Sequence, residues 1–372
     1  MAEPLTLIRL QGSALARGQQ QALARPELAP RVRAAILGRL ASIQTTLDQP
    51  SMARYLREQK EFLAAQDRMG FDESLGLANG FGLTHDEVLA YLHANIVEDM
   101  SAATPIERDG CTSWAKSLGN AGCLVVKNRD YRGEHGALQQ VFLHCDPSEG
   151  ARTLLCVGSL GSPGAFSSGM NSDGLAVVDT QIGTQDHGVG WLRYFLMTAL
   201  LRECTDVDAA LALIAEATHA GGGSLVLGDA SGSTACIELG HAQAPVITRS
   251  STAVARTNNF QDPQMLARMA LPSDTLSESS PLRLAQVQSY LAQHCSTMDV
   301  ASAQALMASH QSGASICLHA DANSPMQART LSGVVYETAS QTLHLANGNP
   351  CCSPWTRFEL PGLAAAAIQQ SA

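Results

Sequence analysis

From residue 111 onward, short apolar runs pair across turn residues five times. The segments are CTSWAKS-LGNAG-CLVVKNRD (111–130), QVFLHCD-PSEG-ARTLLCVGS (140–159), FSSGM-NSDG-LAVVDTQI (166–182), SLVLG-DASG-STACIEL (224–239) and TLSGVVYE-TASQ-TLHLANG (330–348). Each carries Gly, Asn, Asp or Ser where a hairpin needs a reversing backbone. Five hairpins mean largely antiparallel sheet. Two helical pairs interrupt them: 191–204 with 206–220, and 281–295 with 300–310. Sheets alternating with helix pairs predict a layered α+β fold.

The first ~100 residues read differently. Helical spacing of apolar residues runs through 27–47 and 52–69. The segment 84–100 opens with Thr84 and has Glu87 three residues on, a capping box, and then places Leu89, Leu92 and Ile96 on one face. The expectation is a helical segment over 1–110 and a sheet-rich unit over 111–372. The boundary lies in 107-ERDGCTSWAKS-117.

Charge excludes one class of partner. The net charge is −10 and charged residues are only 16% of the chain, so there is no basic face for nucleic acid. No stretch reads as a signal peptide or a membrane span. The ten cysteines form no CxxC pair, and no Cys/His set has regular zinc spacing. Buried thiols in a reducing cytoplasm, with no metal and no cofactor, are the expectation. GGGS at 221–224 lacks the Lys of a phosphate-binding loop and precedes a strand, so it reads as a close-approach loop. The vicinal pair Cys351-Cys352 reads as two packed thiols. Self-association into a homo-oligomer is open at this stage.

A Gly-Cys pair at a domain junction is a candidate cleavage site. A cut between Gly110 and Cys111 would put a thiol and a free α-amine on one residue. An α-amine with a pKa near ~8 can take the thiol proton and replace the histidine of a Cys-His pair. Glycine suits the scissile position because it tolerates strained backbone and leaves its carbonyl accessible. The competing reading is a plain core thiol in an uncleaved binding protein. A metal-dependent amidase lacks a recognisable ligand set.

Several motifs follow at fixed distances: DGCTS (109–113), NRD (128–130), GMNSDGL (169–175), TNNF (257–260) and SICLH (315–319). In this order they resemble the acyl-CoA:6-aminopenicillanate (isopenicillin N) acyltransferase-like family. These are autoproteolytic N-terminal-nucleophile enzymes related to the choloylglycine hydrolases. The resemblance implies a four-layer αββα sandwich with no cofactor, and a precursor whose two chains stay associated after self-cleavage. It implies Cys111 as nucleophile, Asp130 beside the thiol and α-amine, and Asn258 as an oxyanion donor. It also draws Lys127 and Thr180 toward the substrate, a small-molecule acyl amide; Trp114, three residues from the candidate nucleophile, is the tryptophan best placed to touch that substrate. Three positions depart from the pattern. Lys127 replaces an Arg of the bile-salt hydrolases, Thr180 stands where relatives often have Asn, and Leu318 stands where relatives often have Arg.

Overall fold

The computed structural model describes residues 5–101, 110–148, 151–270, 275–320 and 327–362. The amino-terminal part comprises β1 (Leu7–Gln11), α1 (Ala14–Ala24), α2 (Ala29–Ser42), α3 (Gln44–Leu47), α4 (Pro50–Gln66), α5 (Arg68–Phe81), α6 (His85–Leu92) and α7 (Ala94–Asp99). Next come β2 (Thr112–Ser117), β3 (Cys123–Arg132), β4 (Gln139–Cys145), β5 (Leu154–Ser159), β6 (Ser168–Asn171), β7 (Ala176–Thr180), α8 (Arg193–Glu203) and α9 (Val207–Glu216). Then follow β8 (Ser224–Gly228), β9 (Thr234–Glu238), β10 (Val246–Ser250), β11 (Ala253–Arg256) and α10 (Pro263–Leu266). The chain closes with α11 (Thr275–Gln293), α12 (Val300–Met307), β12 (Ala328–Glu337), β13 (Thr342–Asn347) and β14 (Trp355–Glu359).

All five sequence-read hairpins form, as β2–β3, β4–β5, β6–β7, β8–β9 and β12–β13. They divide between two sheets. One has eight strands in the order β1-β4-β5-β6-β7-β8-β9-β10; the other has six, β11-β2-β3-β12-β13-β14. Side chains alternate across each strand, so each sheet buries two faces. Val141, Leu143, Val178 and Val226 of the first sheet meet Ala115, Val125, Val334 and Tyr336 of the second. The other face of the first sheet, with Phe142, Val177 and Leu227, packs under α1, α2, α5, α6 and α8. The other face of the second, with Trp114, Leu124 and Val126, packs under α11 and α12 through Leu284, Val287 and Leu306. The result is four layers: helix, sheet, sheet, helix.

The amino-terminal segment is not wholly helical. β1 pairs in parallel with the edge strand β4, Leu7 opposite Val141 and Gln11 opposite Cys145. A parallel partner more than a hundred residues away leaves no local turn signal, so a sequence pattern does not reveal it. Segments 1–110 and 111–372 thus share a sheet as well as a core. The capping box at Thr84–Glu87 is present on both sides. Helix α11 starts earlier than the sequence suggests, with Pro281 inside it.

Helices α1 and α5 cross almost backbone to backbone. A Cβ at Gly18 would lie 2.2 Å from the Glu73 carbonyl oxygen, and one at Gly76 2.1 Å from that of Leu15. Neither neighbour can yield without shifting a helix. Gly18→Ala or Gly76→Ala should therefore cost roughly 1–3 kcal/mol of stability, the range for overpacking. Gly38 on α2 has open space around its Cβ position, and Gly38→Ala should stabilise by up to ~1 kcal/mol. Urea unfolding of the three variants checks this; equal effects at all three positions would contradict it.

Candidate active site

Cys111 immediately precedes β2 and is 5% exposed. By the two-residue alternation it shares a face with Ser113 and Ala115, toward the other sheet. Its sulfur lies 3.8 Å from the backbone oxygen of Asp130 on β3. β3 is the inner neighbour of β2, with Thr112 opposite Asn128. On its other side lies β12, with Thr330 opposite Asp130 and a bulge between Thr330 and Ser332. Bulges re-aim side chains beside functional sites. Here the Thr330 hydroxyl donates to Asp130 Oδ1 at 2.5 Å. Burial pushes the Asp130 carboxyl up to about 7, against the pull of Thr330, Arg283 and Lys127. The group is therefore poised to exchange a proton near neutral pH.

The NRD motif distributes its side chains over three layers. Asn128 donates to the carbonyls of Met307 at 2.8 Å and Ile316 at 3.0 Å, closing the end of α12. Arg129 donates to Gln139 Oε1 at 2.6 Å and Ser159 Oγ at 3.0 Å, in the eight-stranded sheet. Of the three, Asp130 meets the thiol, and through its backbone oxygen.

The residue that sequence reasoning missed is Arg283 on α11. It is 1% exposed. Its Nη1 donates to the Cys111 carbonyl at 2.6 Å and to Thr112 Oγ1 at 2.8 Å; its Nη2 donates to Asn258 Oδ1 at 3.0 Å. The signal was a lone Arg at a core position of PLRLAQVQSYL, a residue type almost never fully buried without partners. Asn258, 8% exposed, uses Nδ2 to donate to the Gln181 carbonyl at 2.8 Å. With Oδ1 gripped by Arg283, its amide orientation is set, and Nδ2 carries a second hydrogen for another acceptor.

A second cationic group comes from α8. Arg193 donates from Nε to Asp179 Oδ2 at 2.6 Å, from Nη2 to Gln181 Oε1 at 2.7 Å and from Nη1 to the Gly222 carbonyl at 3.2 Å. The glycine run 221–223 makes room for it. All three residues have positive φ, and a Cβ at Gly223 would sit 2.5 Å from Arg193 Nη1, which bears out the close-approach reading of GGGS. Burial raises the Asp179 carboxyl, but Lys127 and Arg193 outweigh burial and hold it below the ordinary carboxylate range. Both Arg193 and Arg283 interact electrostatically with Cys111, so two guanidinium groups lie within reach of its field.

The remaining sequence candidates fall differently. Lys127 is committed to a buried ion pair with Asp179 and donates to the Ser167 carbonyl at 3.2 Å. Thr180, fully buried, shares a 2.6 Å hydrogen bond with Ser224 Oγ. Trp114 requires correction. It lies on the opposite face of β2 from Cys111, fully buried, with Nε1 donating to Met307 Sδ at 3.2 Å. Strand alternation makes it core beneath α11 and α12, away from the thiol. Asn171 of GMNSDGL holds the end of α8, donating to the carbonyls of Leu201 and Cys204. Leu318 contributes backbone: its N–H donates to Thr330 Oγ1 at 2.8 Å. Gly110, like Cys111, is buried; Asp109 lies outside the described residues. Cys351 and Cys352 are exposed, so they are not packed thiols.

Two facing sheets between two helical layers define the αββα sandwich of N-terminal-nucleophile hydrolases. The chain belongs to the acyl-coenzyme A:6-aminopenicillanic acid acyl-transferase family, whose model matches residues 117–351 and so begins just beyond Cys111. Two variants of the conjugated bile acid hydrolase from Clostridium perfringens are similar in structure. Each is 11% identical, with TM-scores of 0.44 and 0.46, covering 66% and 67% of this chain and 96% and 97% of theirs. Penicillin V acylase from Agrobacterium tumefaciens is 11% identical with a TM-score of 0.42, covering 68% of this chain and 86% of its own. No curated protein matches the sequence. Among the described residues, no helix is long and apolar enough to cross a membrane.

The raised Asp130 carboxyl has a consequence for folding. The folded state favours the neutral acid, whose ordinary value of 3.8 applies once the chain unfolds. Its contribution to stability is complete below that value, is lost as pH rises to about 7, and changes no further above. Asp130→Asn removes this titration. The variant should gain on wild type as pH rises through that window and then hold a constant difference. Denaturant unfolding across the pH series checks this; parallel curves would contradict it.

Proposed function

We propose that this chain is a self-cleaving cysteine amidohydrolase that acts on a linear N-acyl amide through a thioester on Cys111. The observation that carries the reading is Arg283, which grips the Cys111 carbonyl and Asn258 together at a cysteine that follows a glycine at the helical–sheet junction, with Arg193 also in the field of that cysteine. In the precursor, the Cys111 thiolate attacks the Gly110 carbonyl and the acyl group shifts from nitrogen to sulfur. Water then hydrolyses that ester, leaving Gly110 as a carboxylate and Cys111 with a free α-amine. Residues 1–110 stay bound because they contribute β1 and the α1–α7 core.

In turnover the α-amine takes the thiol proton, directly or through a water. The sulfur attacks the substrate carbonyl, and the tetrahedral oxyanion receives the spare hydrogen of Asn258 Nδ2. A preorganised donor of this kind is worth ~3–4 kcal/mol to the transition state. The leaving amine takes the proton from the α-ammonium. Water, deprotonated by the α-amine, then attacks the thioester and releases the acid. Asp130 holds and tunes the α-amine. Arg283 is a positioning residue: it fixes the Cys111 carbonyl and the Asn258 amide in one frame.

A second reading is favoured by the family's description as acyl-transferases: an amine replaces water as the final acceptor. We favour water because nothing in the sequence resembles a site for a CoA-sized acyl donor. Acid quenching during turnover of an N-acyl amide should leave the acyl mass on a peptide beginning with Cys111, removable by hydroxylamine. Cys111→Ala should carry no such mass and lose activity by several orders of magnitude. Activity retained in Cys111→Ala would overturn the reading, and turnover that requires an added amine would replace hydrolysis with transfer.

A further inference from the structure

The loop after α12 and the turn after β13 bring together four side chains that the acyl-transfer site does not use: His310, Cys317, His319 and Cys351. One ligating atom from each lies within 4.8 Å of all the others. Cys317 Sγ and Cys351 Sγ are 3.7 Å apart. His319 Nε2 lies 3.8 Å from the first and 3.1 Å from the second. A tetrahedral zinc ion with bonds of ~2.3 Å to sulfur and ~2.0–2.1 Å to nitrogen spaces neighbouring ligand atoms roughly 3.3–3.8 Å apart. The imidazoles of His310 and His319 complete the set, ring centres 5.1 Å apart and tilted by 49°. We propose that these four residues bind a divalent transition metal, zinc first, in a Cys2His2 site.

The backbone holds the ligands in place without the ion. The N–H groups of Ile316 and Cys317 both donate to the Ser309 carbonyl, at 3.2 and 3.1 Å, closing the loop that carries His310 to Cys317. The N–H groups of Cys352 and Ser353 donate to the Asn349 carbonyl, at 3.1 and 2.9 Å, turning Cys351 toward them. Asn349 Nδ2 donates to Cys317 Sγ at 3.3 Å and to the Leu318 carbonyl at 2.7 Å. Asn349 thus fixes the Cys317 sulfur in place beside the other three ligands. Two thiolates and two imidazoles select a borderline-soft ion over magnesium or calcium. Cys317 is buried while the other three are exposed, so the ion has an entry path from solvent.

The site also touches the chemistry from behind. Leu318, between two of the ligands, donates its N–H to Thr330 Oγ1, which donates to Asp130. A metal that fixes 317–319 therefore fixes the hydroxyl that orients Asp130.

The test reads metal, not turnover, and so stands apart from the fate of the hydrolase reading. Cys111→Ala, freed of metal and kept under reductant without oxygen, is titrated with cobalt(II). Tetrahedral thiolate coordination should give intense near-ultraviolet charge-transfer and visible d–d bands that saturate at one cobalt per chain and vanish when zinc is added. Adding His319→Ala, an exposed position, should abolish the saturating bands, as should Cys317→Ser. Cys352→Ser should leave them intact. No saturating bands, bands that survive both ligand variants, or a Cys317–Cys351 disulfide in the reduced preparation would overturn the proposal.

Discussion

A guanidinium stays charged wherever it is placed, so burying one obliges the chain to surround it with acceptors. Arg283 is such a group. Beyond Ser279 Oγ on its own helix, its acceptors are the Cys111 carbonyl, Thr112 Oγ1 and Asn258 Oδ1. They come from the strand that carries the thiol and the loop that carries the candidate oxyanion donor. Two elements far apart in sequence are thus held in one frame by a third, α11. The rest of the site depends on this clamp: Asn258 has a defined amide orientation because of it, and the thiol has a cation beside it.

The fold supplies what the clamp needs. β2 and β3 sit inside the six-stranded sheet; Cys111 immediately precedes Thr112, which pairs with Asn128, and Asp130 pairs with Thr330 of β12. The facing sheet contributes Arg193 through the Asp179 ion pair and the glycine run 221–223, which passes too close for any side chain. The opposite helical layer contributes Arg283. Both cations are expensive to bury, and both interact electrostatically with Cys111. A structure that needed only a core thiol at position 111 would gain little from them.

Much of this was legible in the sequence, for physical reasons. Hairpins announce themselves through turn residues and period-two alternation, and all five formed. The motif spacing DGCTS to NRD marks two adjacent strands, and they pair, which leaves the Cys111 sulfur 3.8 Å from the Asp130 backbone oxygen. What was missed gives no local turn signal, and much of it has remote partners. β1 finds β4, and β10, β11 and β14 extend existing sheets without a tight turn of their own kind. Arg283 finds Cys111 and Asn258 across layers. Trp114 was misplaced because proximity in sequence to a nucleophile was read as proximity in space, whereas strand alternation sends it to the other face. His310, Cys317, His319 and Cys351 follow no regular spacing, so only the folded chain brings them within reach of one ion.

The account rests on Cys111 acquiring a free α-amine by self-cleavage. Intact-protein mass spectrometry of purified wild type beside Cys111→Ala, under native reducing conditions, tests it most directly. Wild type should separate on denaturation into residues 1–110 and 111–372, the second beginning with Cys111, while Cys111→Ala stays whole. Both proteins intact at 372 residues, or both cut at the same bond, would contradict it.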